Sequence, residues 1–503
     1  MGAVRNGSSA TRRKPINRHA RREWREFALT AAVALLLCGL VQFLFRILVW
    51  KLADTTYVLA DWPGFVEVAT ANPLGFMDWI ARLLCATGLT WGGGLVTTAL
   101  LALAMVTAFL IRGMRPAVAV WLPVILFAVP LLNLGDQIWL LKAPHFLQWN
   151  LLWYVTLAAA LAAGGRYGAM ALLGALAVVL VGAYWVCDLP FGESAGRGFG
   201  IYPGFSWLGG DFVALGVFAV LIAAACVQVE WTAKLERGVR CGLPVVLVVL
   251  TAALWAKRDC RDQLTMERLV RERKFDEVLK VAPRKARPER METAWRILAM
   301  YRTDRLDRDL FRYPIIGSHA NTDEEEMIME GTLYLFEYGL IQPCRRWIFE
   351  SLAVKGWQPD YLRQLGEGAI VAGDAELAKR NFRQLMRCPF RGDQAAKRLA
   401  ALEMEPPPPD AFDDLADVAG MFGVWQDHVA KSGTVYFGND RIVERFVYSL
   451  FMTLESCPPP MLKMLFASAL LSGNAQMLKD NSEALSKLYP DGRIGPVFLE
   501  ALR

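Results

Sequence analysis

The chain has 503 residues, 54% hydrophobic and 21% charged, with mean hydropathy +0.29. That is too apolar for a disordered chain or an ordinary soluble enzyme, so a membrane protein is the first expectation. The formal charge of +6 comes from residues 1–26, a basic tail with eight Lys/Arg against two Glu; the remainder is balanced, and no nucleic-acid surface is indicated.

Charge density divides the rest. Residues 27–256 carry 11 basic and 10 acidic side chains, residues 257–503 carry 36 and 37. The front half therefore reads as a transmembrane domain and the back half as water-exposed. About 20 apolar residues cross a bilayer as a helix. Runs of that kind occupy 27–49, 91–111, 117–134, 149–163, 168–186, 212–229 and 242–256, giving seven spans. The first is longer than a signal-peptide core and lacks a small-residue cleavage site, so it reads as an uncleaved anchor. Residues 77–90 read as an interfacial helix leading into the second span.

Lys/Arg counts set the orientation. With the N-terminus cytoplasmic, the inner segments hold fourteen Lys/Arg, including Arg112, Arg115, Arg166 and Lys234. The outer loops hold Lys51, Lys142 and Arg197, with Arg46 and Arg82 at span edges. An odd number of spans then places residue 257 onward outside, in the periplasm or at the cell surface. Trp24, Trp50, Trp91, Trp149 and Trp231 fall near span ends, where indole rings favour the headgroup layer.

From Asp262 the pattern turns amphipathic and helical. Gly339 and Gly373 lie at matching breaks between apolar helices, and turns near Lys274 and Arg305 keep roughly the same phase. Leu362, Leu365, Gly366 and Ala369 precede the fourth break, and Ala378 and Phe382 follow it. This arrangement resembles the tetratricopeptide repeat over 262–405. Pro406 to Pro409 form a stiff spacer, followed by a second helical lobe over 410–503. Stacked helix pairs bury their apolar faces against one another and leave a groove suited to a peptide or protein.

Three segments carry a further resemblance: PGFVEVATANPLGFMDWIARLL, RERKFDEVLKVA and YGLIQPCRRWIFESLAVKGWQPDYLRQLGEGAIVAGD. The chain resembles an uncharacterised family of multi-pass bacterial membrane proteins that end in tetratricopeptide-like helices. The resemblance implies an all-α architecture and assigns no active site.

Little in the sequence points to chemistry. Nine cysteines include no CxxC, and a Cys344–Cys388 bridge is not expected, since the two fall at opposite ends of successive second helices. The four histidines form no HExxH pattern, and no phosphate loop ending in GK[ST] occurs, so no metal or other cofactor is expected. The outer segments do hold carboxylates: Asp54, Asp61, Glu67, Asp78, Asp136, Asp188, Glu193 and Asp211. Acidic groups just after a first span resemble multi-pass glycosyltransferases that use lipid-linked sugars, in which case Asp54 and then Asp61 are the catalytic candidates. The leading expectation is a non-enzymatic integral membrane protein. Its partners are the lipid bilayer and an envelope protein bound by the helical repeats; the glycosyltransferase-like enzyme is the alternative.

Overall fold

The computed structural model describes residues 18–44, 46–71, 75–87, 93–110, 116–128, 259–281, 290–314, 324–408, 410–432 and 459–503, plus isolated positions. Among these residues the regular structure is helical, with no strand. The spans expected over 149–163, 168–186 and 212–229, nearly all of 242–256, and the carboxylates Asp136, Asp188, Glu193 and Asp211 lie outside them. The described chain forms two compact units.

The first unit contains α1 (Arg18–Leu44), most of α5 (Gly93–Leu110) and α6 (Pro116–Ala128). Two stripes run along α1. Phe27, Ala31, Ala34, Cys38 and Val41 recur at steps of three and four and are buried. Mostly small, they let a neighbouring helix approach closely, and α1 packs against α6. Phe27 stacks on Phe109 of α5 at 4.2 Å between ring centres. The opposite stripe, Leu29, Val33, Leu36, Leu40 and Phe43, is just as apolar and lies open, Leu36 at 74%. Water would penalise that face at about 25 cal/mol per Å², whereas hydrocarbon would not. Among the described residues, one helix, Ala20–Leu44, is long and apolar enough to cross a membrane.

The second unit joins α2 (Arg46–Thr55), α3 (Trp62–Ala71) and α4 (Gly75–Ala86) to everything described from Asp259 onward. Residues read from sequence as a membrane loop are thus part of the tail's own fold.

The tail is built from helix pairs: α7 (Asp259–Arg271) with α8 (Phe275–Val278), α9 (Arg290–Arg302) with α10 (Leu306–Asp309), α11 (Glu324–Glu337) with α12 (Ile341–Lys355), and α13 (Pro359–Val371) with α14 (Ala375–Met386). One turn serves all four. Arg273, Asp304, Gly339 and Gly373 each have a positive φ, between 54° and 78°. At each, the next residue's N–H reaches back five positions: Lys274 to the Leu269 carbonyl, Arg305 to Met300, Leu340 to Leu335 and Asp374 to Ala369, all at 2.8–3.0 Å. This Schellman cap satisfies carbonyls that a helix end leaves open. Gly473, with Asn474 donating to Ala469 at 2.9 Å, repeats it between α17 (Pro459–Leu471) and α18 (Gln476–Asp480).

A second regularity sits inside two of the pairs. Gly331 faces Trp347, and Gly366 faces Phe382; a Cβ at either glycine would lie within 2.8 Å of the ring. Each missing side chain therefore admits an aromatic ring from the paired helix, which sets the distance between the two axes.

After α15 (Gly392–Glu403), the proline spacer interrupts the sequence, yet residues past it share the core of the earlier pairs. Trp425, on α16 (Ala416–Ser432), donates its indole N–H to the Tyr338 carbonyl at 2.9 Å. Beyond α19 (Ser482–Leu488), the last helix, α20 (Pro496–Leu502), contributes Phe498, whose ring lies 6.1 Å from Phe466. Gly495 lets this segment lie directly on Asp307, where a Cβ would sit 2.5 Å from the Asp307 carbonyl.

Gly339 and Gly373 share a left-handed backbone but differ in surroundings. A Cβ at Gly339 would lie 2.7 Å from the Phe422 nitrogen, while nothing is within 4 Å of one at Gly373. Gly373→Ala should cost about 1–2 kcal/mol, the left-handed penalty alone. Gly339→Ala should cost roughly 1–3 kcal/mol more through overpacking. Denaturant unfolding of the detergent-solubilised chain measures both; equal losses would mean that α16 does not rest on this turn.

Candidate functional site

Three helices supply charged faces at helical spacing. On α2, Lys51 and Asp54 stand three apart; on α7, Glu267 and Arg271 stand four apart; on α13, Asp360, Arg363, Gln364 and Glu367 occupy i, i+3, i+4 and i+7. Each set therefore projects from one side of its helix. The three sides meet below the surface. Asp54 retains 1% exposure, and Glu267, Asp360 and Glu367 are buried as well.

Signs alternate through this cluster. Lys51 donates to both Glu267 oxygens at 2.6 and 2.7 Å. Arg271 bonds both Glu267 and Asp54 and stands 3.3 Å from Asp360. Arg391 bonds the other Asp54 oxygen. Asp360 also accepts from Arg363 at 2.8 Å and from Gln364 at 2.5 Å. Arg363 continues to Glu367 at 2.7 Å, and Arg398 closes the run between Glu367 at 3.5 Å and Asp414 at 2.5 Å. Five cations face five carboxylates. Without that balance, burial of any one of these charges would cost several kcal/mol. Trp50 completes the wall, with Arg268 and Arg271 over its ring at 5.7 and 5.4 Å.

Burial tends to raise the Asp54 carboxyl, but the guanidiniums of Arg271 and Arg391 outweigh it and hold the group below its ordinary value. Asp360 follows the same logic, with burial opposed by Arg271 and Arg363 and the net shift downward. Burial alone would lower Arg271, yet Asp360, Asp54 and Glu267 drive it upward. Asp54, Asp360 and Arg271 are thus all charged at neutral pH.

Residues 57–61 make a second attachment. Leu59 enters the core formed by Leu362, Phe382, Leu385 and Leu402. The Ala60 N–H donates to the Arg387 carbonyl at 3.1 Å. The Tyr57 hydroxyl accepts from Gln384 at 2.7 Å. Asp61 accepts from Arg387 at 2.6 Å and caps α3 by accepting the Gly64 N–H at 2.9 Å. Its carboxyl is lowered, first by the Arg387 hydrogen bond.

The two sequence candidates thus lie in one structural seam. Asp54 is enclosed with a guanidinium on each oxygen; Asp61 is half-open and paired. Glu67 is exposed. Among the described residues, no group of three His, Cys, Asp or Glu could hold a metal ion. Cys344 and Cys388 are buried thiols in different core clusters, and burial pushes Cys388 up to about 12. Sequence reasoning did not single out Glu267, Arg271, Asp360 or Arg391. The available signal was charge at i, i+3, i+4 and i+7 on α13, a helix whose other side is Tyr361, Leu362, Leu365 and Ala369.

Beside this seam, a hollow of about 730 Å³ opens along α14, lined by Asp374, Glu376, Leu377, Arg380, Arg383, Gln384 and Arg387. Its carboxylates are engaged: Asp374 accepts the Leu377 N–H at 3.0 Å, and Glu376 pairs with Lys379 at 2.8 Å. Arg387 is held by Asp61. Arg380 is exposed, and Arg383 reaches only a loose 3.7 Å contact with the open carboxylate of Glu403. The hollow therefore presents both signs of charge, the guanidiniums of Arg380 and Arg383 beside the exposed carboxylates of Asp374 and Glu376.

The chain matches the family of unknown function DUF6057 over residues 21–411 and belongs to it. The match takes in α1 from residue 21, the seam except Asp414, and all four helix pairs, and ends just beyond the proline spacer. No curated protein and no solved structure matches.

Removing one partner of a buried pair leaves the other charge uncompensated. Arg271→Ala should therefore cost about 3–5 kcal/mol, and Arg387→Ala, at a half-exposed pair, under about 1 kcal/mol. Chemical denaturation of the full chain ranks the two.

The depressed Asp54 and Asp360 carboxyls contribute stability that is fully present above the unfolded value near ~4 and lost as pH falls through their folded values. Tm should stay level from neutral pH to about 4.5 and then drop. In Asp54→Asn the drop should be shallower, and an unchanged acid slope would show that the carboxyl is not depressed.

Proposed function

We propose that this chain is a multi-pass membrane protein that displays a tetratricopeptide-like platform on the extracytoplasmic face and binds an envelope protein there. The observation that carries this reading is the seam between α2 and α7. Helix α2 starts two residues after α1, the helix able to cross a membrane. Helix α7 starts three residues after the last apolar run, 242–256. Lys51–Glu267 and Asp54–Arg271 join them, and buried ion pairs cannot form through a bilayer. Both segments therefore belong on one side, which supports an odd number of spans, and the Lys/Arg excess on the other side supports a cytoplasmic N-terminus. The exposed apolar stripe of α1 supports immersion in lipid.

Repetition of one turn and one glycine–aromatic contact supports the repeat reading, and repeats of this kind present a surface for binding rather than a reactive centre. The hollow along α14, which places Arg380 and Arg383 beside Asp374 and Glu376, suits a polar segment of the partner that carries complementary charges. The transferase alternative requires Asp54 to exchange two guanidiniums for a substrate, and an enclosed carboxylate in two ion pairs is poorly placed to act as a base.

A reporter enzyme fused after Arg503 should be active only outside the cytoplasm. A photoreactive residue in place of Arg380, in the full chain within native membranes, should capture one discrete protein, and capture should fall when Arg383→Glu is added. Cytoplasmic reporter activity would sink the orientation. Loss of a glycan product in Asp54→Asn with Asp61→Asn, in protein that still melts cooperatively, would favour the enzyme.

A further inference from the structure

The first helices of the four pairs form a row: α7 packs on α9, α9 on α11 and α11 on α13. Neighbouring helices pack about 8–10 Å apart, so a straight row would hold α7 and α13 roughly 27 Å from each other. They are far closer. Arg271 of α7 stands 3.3 Å from Asp360 of α13, and one ten-residue helix, α2, packs against both. The row is therefore curled, and α2 joins its two ends.

The two sides of α2 are held differently. Toward α7 the described bonds are ionic: Lys51 to Glu267, Asp54 to Arg271, and Trp50 beneath Arg268 and Arg271. The core cluster that contains Met266 and Val270 of α7 takes in no residue of α2. Toward the fourth pair, Asp54 also meets Arg391. There the chain just past α2 adds Leu59 within the core of Leu362 and Phe382, the Ala60 N–H on the Arg387 carbonyl, and Gln384 on the Tyr57 hydroxyl. Ion pairs that part into water regain hydration, so separation costs them little, whereas an apolar core that parts loses its burial. The α2–α7 line is accordingly the weaker of the two.

We propose that α2 is a clasp: it holds the curled row shut, and the row opens along the α2–α7 line while α2 stays with the fourth pair. Opening uncovers Glu267 and Arg271, a face of both signs that Lys51 and Asp54 otherwise fill. The clasp requires neither a bilayer nor a partner, so it goes beyond the platform reading and stands or falls separately from it.

Pulsed electron–electron resonance on the detergent-solubilised full-length chain reads the opening. Nitroxides are attached through ketone-bearing residues at exposed Glu272, just past α7, and exposed Ala372, just past α13. The unaltered chain should give one short distance. Lys51→Met with Asp54→Asn should add a population longer by about 5 Å or more, half the width of a helix, with helical circular dichroism and cooperative melting retained. A second label pair, at exposed Ala60 and Ala372, should keep its distance. Should the double variant not melt cooperatively, Lys51→Met alone, which leaves Glu267 bonded to Arg271, makes the same comparison. An unchanged Glu272–Ala372 distance in a cooperatively melting variant would show that the row holds its own curl, and would overturn the clasp. So would loss of cooperative melting in both variants, which makes α2 part of the core, or lengthening from Ala60 as well, which puts the parting line on the other side.

Discussion

The described architecture depends on the burial of one carboxylate. Asp54 lies beneath the surface with Arg271 on one oxygen and Arg391 on the other. A charge in that position must be matched, and the matching charges come from helices more than two hundred residues away in the chain. The segment after the first apolar helix is therefore part of the tail's fold rather than a loop beside it. Leu59, Tyr57 and Asp61 extend the junction with an apolar contact, a hydroxyl hydrogen bond and a surface ion pair. The ionic part leaves each buried charge matched, and Leu59 supplies apolar burial.

The helix pairs show how a repeat can persist while its side chains vary. Arg273, Asp304, Gly339, Gly373 and Gly473 differ in chemistry but share a left-handed conformation and the same backbone closure. The repeated feature is a backbone geometry that satisfies helix-end carbonyls, so several residue types can serve. Glycine is demanded more strongly at 339, where α16 approaches the turn. The proline spacer falls between helices that nonetheless share one core, because Trp425, Phe466 and Phe498 return to the apolar surface left by the earlier pairs.

The seam also changes the meaning of the acidic residues that follow α1. A catalytic base requires an accessible lone pair, and Asp54 has both oxygens occupied. A cluster of carboxylates beside a long apolar helix can arise from the need to receive arginines of the tail, and the sequence signal is the same in both cases. Open charge of both signs lies instead along α14, where Arg380, Arg383, Asp374 and Glu376 line a hollow.

The helical class, the long apolar first helix and the phase of the breaks at 339 and 373 were legible from sequence, because each is a local property. Periodicity, charge density and turn-forming residues act within a few positions of one another. Which carboxylates are buried, which arginines meet them, and that residues 46–61 pack with residues 259–414 were decided only in three dimensions. Ion pairs across more than two hundred residues leave no periodic trace in a single chain, and a charge on a helix face looks the same whether water or a guanidinium will cover it.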